Sequence, residues 1–345
     1  MSGERVLVAM SGGVDSSVAA ALLLEQGFDV TGVTLKLWGG ESDSGCCSVA
    51  DVEDARRVAA QLGVPHYVFN FTDEFDAAVV APYVDDHAAG RTPNPCVECN
   101  RSMKFGRLLE RADALGFEFL ATGHHARVGP ASDGTFVLRR GADAAKDQSY
   151  VLYMLGQREL ARTRFPVGEL TKAEVRAHAA RLGLRTAAKA ESMDVCFITR
   201  GGREEFLAAR VPARAGAIVD TRGVHVGDHD SVAIFTVGQR RGLRVAAGER
   251  RYVVDVDTRT ATVTIGTRDD LLREGVELRD LVFSAGTPAA FARELQAQVR
   301  AHGEPIESRL EGTRVHFATP QPRVAPGQVV ALYEGDVLLG GGIAT

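Results

Sequence analysis

The chain has 345 residues, enough for two or three domains at roughly 150 residues each, and its 45% apolar and 25% charged content excludes a small disulfide-stapled module and an intrinsically disordered chain. A formal charge of −5 advertises no strong basic field, which argues against a nucleic-acid partner except through a local basic patch. No apolar run approaches the roughly 20 residues a bilayer needs and no signal-peptide core follows Met1, so the expectation is a soluble, cytoplasmic protein.

From Arg5 to about Gly202 the apolar pattern switches repeatedly between strand runs and amphipathic helices, which predicts an α/β fold with a doubly wound parallel sheet. Val6 to Met10 reads as a buried first strand. Asp15 to Gln26 reads as a helix with Val18 and Leu22 on its apolar face and Gly27 as its stop. Val30 to Leu37 is the second strand, and Ser48-x-x-Asp51 ahead of Val52, Ala55, Val58, Ala59 and Leu62 resembles a capping box for a helix that Gly63 ends. His66 to Phe71 and Phe117 to Thr122 are further strands, and Thr171-x-x-Glu174 starts a helix running to Leu182.

After about Arg203 short alternating segments between Gly, Asp and Arg turns predict β structure. They are Val224 to Val226, Val232 to Val237, Tyr252 to Val256 and Ala261 to Ile265, then Val276 onward through Glu294 to Arg300, Arg314 to Phe317 and Val329 to Tyr333. Boundaries near Gly202 and Arg273 divide the chain into residues 1–202, a small β-rich central domain at 203–272, and a C-terminal domain at 273–345.

The first strand runs into Ser11-Gly12-Gly13-Val14-Asp15-Ser16-Ser17 and then a helix, so loop N–H groups and a helix N-terminus converge on one point, an anion site. The glycines let backbone approach a phosphate, and the serine hydroxyls add donors. No Gly-Lys-Ser/Thr follows and no G-x-G-x-x-G is present, which excludes a Walker loop and a dinucleotide fingerprint. The string SGGVDSS resembles the pyrophosphate-binding loop of the ATP pyrophosphatases. That resemblance implies adenylation of a carbonyl oxygen by ATP, with Mg²⁺ offsetting phosphate charge and Asp15 a candidate for ordering the loop or the metal.

The five cysteines are Cys46, Cys47, Cys96, Cys99 and Cys196. An odd, clustered set in a chain with no export signal favours thiol chemistry or a metal over a structural framework. Gly90 to Asn100, GRTPNPCVECN, sets two thiols in a stiff polar segment where prolines remove backbone freedom. Cys196, in Ser192-Met193-Asp194-Val195-Cys196-Phe197-Ile198, is by itself as consistent with a core residue as with a functional one. By composition alone Lys146-Asp147-Gln148 is a solvated turn, and His124 and His125 are cap or core histidines.

Eight strings in order, SGGVDSS, GRTPNPxxxCN, ATGHHAR, KDQSYVLY, FPVGELTKAEVR, DVCFI, TVGQRRGL and GGGI, resemble the tRNA-specific 2-thiouridylases of the MnmA family over nearly the whole chain. The resemblance implies an ATP-pyrophosphatase domain, a small central domain and a C-terminal β-barrel. It also implies replacement of the C2 oxygen of a tRNA wobble uridine by sulfur, in tRNAs of the Lys, Glu and Gln type, with a cysteine desulfurase or sulfur-carrier protein as persulfide donor. Cys99 matches the family's nucleophile and Cys196 the cysteine that bears the persulfide. Ala9, Met10, Ser11, Gly12, Gly13, Val14, Asp15 and Ser16, with Leu35 and Gly123, match ATP-contacting positions. Asn94, Pro95 and Cys96 match the segment facing the target base. Lys146, Asp147, Gln148, His124 and Gln328 match tRNA contacts, as do Arg300 and Ala301 more loosely. Arg101, Lys104, Arg240 and Arg241 are basic residues that could line the approach of an extruded uridine.

One departure stands out. Where some members have Asp three residues before the nucleophile, this chain has Cys96. Cys96, Cys99 and Cys196 also make up the ligand set of a three-cysteine iron–sulfur site; zinc would need a fourth partner such as Cys46, Cys47 or a histidine. Rival readings are a small-molecule amide ligase, which leaves Cys99 and Cys196 idle, and a non-catalytic RNA-binding or sulfur-carrier protein, which leaves the phosphate loop without purpose.

Overall fold

The structure, a computed structural model, describes residues 3–38, 48–190, 195–198, 202–245, 249–284 and 294–345. Cys46, Cys47 and Asp194 lie outside the described residues. Strand β1 (Arg5–Ala9) leads into helix α1 (Val14–Glu25), β2 (Asp29–Lys36), α2 (Val49–Leu62) and β3 (His66–Asn70). Helix α3 (Thr72–Phe75) runs through a π-helical turn at Asp76–Val80 into α4 (Ala81–Ala88). Helix α5 (Pro95–Glu98) likewise continues through a π-helical segment at Cys99–Arg107 into α6 (Leu108–Ala114). Then come β4 (Phe119–Thr122), the hairpin β5 (Ala126–Pro130) and β6 (Phe136–Arg140), α7 (Gln157–Arg162), β7 (Thr163–Arg164), α8 (Lys172–Arg181) and α9 (Gly202–Ala208).

The first sheet has the order β3-β2-β1-β4-β7, and every pairing in it is parallel. A parallel sheet needs cover on both faces, and β1 supplies it by alternation: Val6 and Val8 pack with α1, α2 and α8, whereas Leu7 packs with Phe75, Val79, Tyr83 and Leu108 on the other side. Helix α1 lies against both α2 and α8. Val14, Val18, Ala19, Ala20, Ala21 and Leu23 are therefore all buried, and the helix is apolar nearly all round rather than one-sided. Ser48 caps α2 by accepting from Asp51 N at 3.1 Å, Gly63 closes it at φ +72, and Thr171 with Glu174 forms the full capping box of α8.

The second sheet, in the order β10-β11-β8-β9, comprises β8 (Gly216–Asp220), β9 (His225–His229), β10 (Tyr252–Asp257) and β11 (Thr262–Gly266). The expected strand at Val232 to Val237 is instead a 3-10 turn at Val232–Ile234, because Val232, Ala233 and Phe235 are buried together and Phe235 N bonds back to Val232 O. The remaining strands are β12 (Leu272–Phe283), β13 (Glu294–Gln298), β14 (Ile306–Glu311), β15 (Arg314–Pro322), β16 (Val329–Glu334) and β17 (Val337–Ala344). Antiparallel pairing of β12 with β17 closes these six into a barrel. Gly340 to Gly342 permit the closure: a Cβ at Gly340, whose φ is +151, would lie 2.0 Å from Val282 O.

The hairpin β5–β6, which the sequence pattern does not mark, belongs to the C-terminal sheet. β6 pairs with the first residues of β17, and Arg127 and Arg139 both reach Asp336, at 2.9 and 3.0 Å. Residues 126–140 thus join the C-terminal sheet although they precede α8 in the chain. Among the described residues no helix is long and apolar enough to cross a membrane.

Candidate active site

The Ser11–Ser17 loop leaves the C-terminal end of β1 where the strand order reverses between β2 and β4, the crevice in which open α/β sheets take their ligands. Gly12 has φ +73, and a Cβ there would meet Asp51 O at 2.2 Å, so only glycine lets the loop fold under the first turn of α2. Gly13 is the N-cap of α1 and lends no side chain to the first turn, which leaves those N–H groups for a ligand. Ser16 Oγ accepts from Ser11 N at 3.2 Å, and the Ser16 and Ser17 hydroxyls donate to Gly13 O at 3.2 and 2.7 Å. Gly123, just past β4, touches the same turn: a Cβ there would sit 2.6 Å from Ser16 N. Ala9 is half-buried at the end of β1, and Met10, Val14 and Leu35 are buried. Met10 N bonds Val33 O at 2.8 Å, Thr34 Oγ1 donates to Met10 O at 2.7 Å, and Leu35 is core.

Two lysines converge on this loop that sequence reasoning did not single out. Lys172 Nζ, from the first turn of α8, lies 2.8 Å from each Asp15 carboxylate oxygen, and His125 Nε2 lies 3.2 Å from Oδ1. Burial works to raise the Asp15 pKa, but the hydrogen bonds from His125 and Lys172 and the Lys172 charge outweigh it and hold the carboxyl below its ordinary value. With both oxygens on an ammonium, Asp15 does not fit as a preformed magnesium ligand. Lys189 Nζ donates to Gly12 O at 2.9 Å, Asp51 Oδ1 at 2.7 Å and Asp54 Oδ2 at 2.7 Å. Burial lowers the Lys189 pKa, yet the two carboxylates prevail and raise it above the usual lysine value. A signal for both residues was present: the chain holds 35 arginines and only five lysines.

Asn94 caps α5, its Oδ1 accepting from Cys96 N at 3.1 Å, with Pro95 at the first turn. Cys96 and Cys99 therefore stand one turn apart, Cys99 where the helix widens into its π segment, a feature frequent at functional sites. Thr92 N donates to Pro326 O, and Gln328 Nε2 donates to Thr92 O, each at 2.6 Å, so the barrel holds the start of this segment. Phe197 anchors Cys196 from the other side, its ring packing on Phe75, Tyr83 and Phe206. Cys99 and Cys196 both pack on that one core cluster, and each is half-buried. Among the described residues no disulfide is formed and no three His, Cys, Asp or Glu side chains gather as a metal centre. The three-thiolate site weighed for Cys96, Cys99 and Cys196 is thus not preformed.

Two expected RNA contacts are not surface groups. His124 is 7% exposed; its ring lies against Phe105 and Phe165, Nδ1 pairs with Thr122 Oγ1 at 2.6 Å, and burial, ahead of the charge of Lys104, pushes its pKa well below the ordinary value. Asp147 is 6% exposed, because its carboxylate accepts from Gly141 N, Ser149 N, Ser149 Oγ and Arg140. Gln148 is exposed and Lys146 half-exposed on either side of it. Arg140 continues the network, donating to Gln298 Oε1 at 2.6 Å, and Gln298 Nε2 donates to the carbonyls of Arg300 and Ala301. Arg300 and Gln328 come together in a cavity of about 220 Å³ between the central domain and the barrel, lined also by Thr236, Val237 and Arg323. Arg101 is tied to Glu98 and Tyr153, whereas Arg240 and Arg241 are exposed.

Comparison with known proteins matches residues 4–200 to a family model described as the tRNA methyl transferase HUP domain. Residues 204–267 match its PRC-barrel domain, and residues 273–344 match the aminomethyltransferase beta-barrel domain. The tRNA-specific 2-thiouridylase MnmA of Roseiflexus sp. (strain RS-1) is 46% identical over an alignment of 366 positions, covering 98% of each chain. That of Chloroflexus aurantiacus is 46% identical over 349, covering 98% of this chain and 97% of the relative. Among solved structures, a 4-thiouridine synthetase in an RNA complex with bound ATP aligns at a TM-score of 0.38 and 20% identity, covering 61% of this chain and 46% of that one.

Proposed function

The chain belongs to the MnmA family of tRNA-specific 2-thiouridylases, and from that premise we propose that it adenylates the C2 oxygen of a tRNA wobble uridine and replaces that oxygen with sulfur. The products are 2-thiouridine, AMP and pyrophosphate. The observation that carries this reading beyond the family is that one domain combines a phosphate loop at the sheet's switch point with two thiols, Cys99 and Cys196, packed against the same core cluster. An amide ligase would use the first and leave the second idle.

A uridine C2 carbonyl is a poor electrophile. ATP, supplying its phosphates and any Mg²⁺ it carries, converts the oxygen into a leaving group, and the loop N–H groups with Ser11, Ser16 and Ser17 hold the departing pyrophosphate. Asp15, fixed by Lys172 and His125, keeps the loop in shape. Cys196 carries the terminal sulfur as a persulfide. In one route Cys99 attacks the persulfide at Cys196 Sγ, the S–S bond breaks, hydrosulfide leaves and attacks C2, and AMP departs. In the other the terminal sulfur attacks C2 directly and Cys99 then resolves the linkage. Both end in a Cys99–Cys196 disulfide, which an external thiol must reduce. Cys96 is an auxiliary thiol on this reading and a ligand on the iron–sulfur one.

On this reading Asn94 and Pro95 set the backbone that faces the extruded base, and Lys146, Gln148, Arg300 and Gln328 contact the tRNA. The polynucleotide partner is tRNA of the Lys, Glu and Gln type, the sulfur comes from a cysteine desulfurase or carrier, and the work is done in the cytoplasm. The test is incubation with ATP, a persulfide donor and unmodified tRNA, followed by nucleoside mass analysis. ATP-dependent 2-thiouridine is the expected product; its absence with a competent donor overturns the reading.

A further inference from the structure

The phosphate loop is aimed by a residue far from it in sequence. Lys189 donates to the Gly12 carbonyl at 2.9 Å and is held there by Asp51 and Asp54, each at 2.7 Å. In a trans peptide the C=O of one residue and the N–H of the next point in opposite directions. With Gly12 O turned toward Lys189, the Gly13 N–H is turned away from it, at the N-cap of α1. Gly12, at φ +73, is the residue whose peptide could most readily rotate. The loop hydroxyls do not prevent that rotation, since Ser16 and Ser17 bond Gly13 O rather than Gly12 O.

The ammonium is itself placed by three constraints. Asp51 sits in the first turn of the capped helix α2, Asp54 one turn on is also paired with Arg185 at 3.2 Å, and Arg176 of α8 donates to the carbonyls of Ala187 and Lys189, at 2.7 and 3.2 Å. Lys189 also offsets two carboxylates that would otherwise oppose a polyphosphate beside the loop.

We propose that Lys189 is a positioning residue of the pyrophosphate site: by holding the Gly12 carbonyl it presets the Gly13 N–H as a donor to the phosphates, and by neutralising Asp51 and Asp54 it keeps the loop open to a polyanion. The inference rests on the ATP-dependent reading above and deepens it.

The experiment measures binding of ATP, inorganic pyrophosphate and AMP to the whole protein and to Lys189→Met and Lys189→Arg, by calorimetry without tRNA or sulfur donor. Lys189→Met should weaken pyrophosphate and ATP by about tenfold or more, the scale of one charge-assisted hydrogen bond, and leave AMP within about twofold. Lys189→Arg should recover most of the loss. Equal weakening of all three ligands, or unchanged pyrophosphate affinity in Lys189→Met, overturns the proposal. A second readout follows the Gly13 amide directly in glycine-labelled protein, assigned by its disappearance in Gly13→Ala. Pyrophosphate should move that resonance downfield in the parent and in Lys189→Arg but not in Lys189→Met, and an identical shift in all three overturns it. If Lys189→Met does not fold, Lys189→Gln carries the same expectations. A parent protein that binds pyrophosphate yet makes no 2-thiouridine would instead fail the functional reading and leave the role of Lys189 standing.

Discussion

Lys172 and Asp15, 157 positions apart in the chain, meet with the ammonium 2.8 Å from both carboxylate oxygens, so the helix that follows the phosphate loop and the helix that packs beside it are joined at their first turns. The pairing explains why a carboxylate can stand beside a polyphosphate site: its charge is already offset. Asp15→Asn should break the ion pair that joins the two first turns, loosen the loop and lower the affinity for ATP by about a few-fold while tRNA binding persists. A variant with normal ATP affinity and turnover would count against the loop assignment.

The same pair sets a pH dependence. The Asp15 carboxyl is held below its ordinary value of 3.8, so its contribution to stability is fully present above that pH and is lost as pH falls below it through the folded-state value. The gap in thermal midpoint between the parent and Asp15→Asn should be constant near neutrality and close as the pH drops below 3.8. A gap that persists unchanged at still lower pH would mean the carboxylate's charge is not what stabilises the turn.

Adjacent glycines in the loop should differ in tolerance. A Cβ at Gly12 would overlap Asp51 O at 2.2 Å with φ at +73, whereas at Gly13 the nearest atom is Ser11 Oγ at 3.5 Å and φ is −90. Gly12→Ala should abolish ATP binding or destabilise the domain by about 1–3 kcal/mol. Gly13→Ala should stay folded and bind ATP within about tenfold of the parent. Equal behaviour in calorimetry and thermal melts would contradict the geometry.

The thiols divide by role. Cys99→Ser and Cys196→Ser should each reduce 2-thiouridine formation by on the order of a thousandfold or more, as expected when a covalent nucleophile is removed. Cys96→Ser should retain measurable activity in air without iron. Iron-dependent activity in the parent that disappears in Cys96→Ser would favour the cluster mechanism.

Arg140 links the buried Asp147 carboxylate to Gln298, and its guanidinium lies 3.7 Å over the Tyr333 ring. Removing it leaves the Asp147 carboxylate its three remaining hydrogen bonds but no counter-charge in the junction between the first segment and the barrel, so Arg140→Met should destabilise that junction by about 1.5–3 kcal/mol. Limited proteolysis or hydrogen exchange at residues 294–301 would read the loosening. Lys146→Glu, on the exposed side of the same turn, should instead leave stability alone and reduce the salt slope of tRNA binding by about one.

The local elements were legible in the sequence because their causes are local. The continuous apolar run Val6 to Met10, the Ser48 and Thr171 caps and the Gly27 and Gly63 stops need only neighbouring residues, and the glycine-rich turn after β1 announces an anion site by itself. The cysteine segments were legible as a pattern of residue types, and their family resemblance named the chemistry. What sequence could not show is which distant side chains converge. Lys172, Lys189 and His125 reach the loop only when α8 and the end of β4 fold back over α1, and charge pairing across such distances leaves no periodicity to read. Asp147 and His124 look like solvent-facing polar residues in a string, yet tertiary packing buries both: one carboxylate must satisfy Gly141 N, Ser149 N and Arg140, and the His124 ring is enclosed by Phe105 and Phe165. The hairpin β5–β6 joins the barrel for a like reason: the free edge of β17 beside Val337 and Leu338 is formed by residues more than 190 positions later, and only the closed structure brings it alongside Leu138 and Arg139.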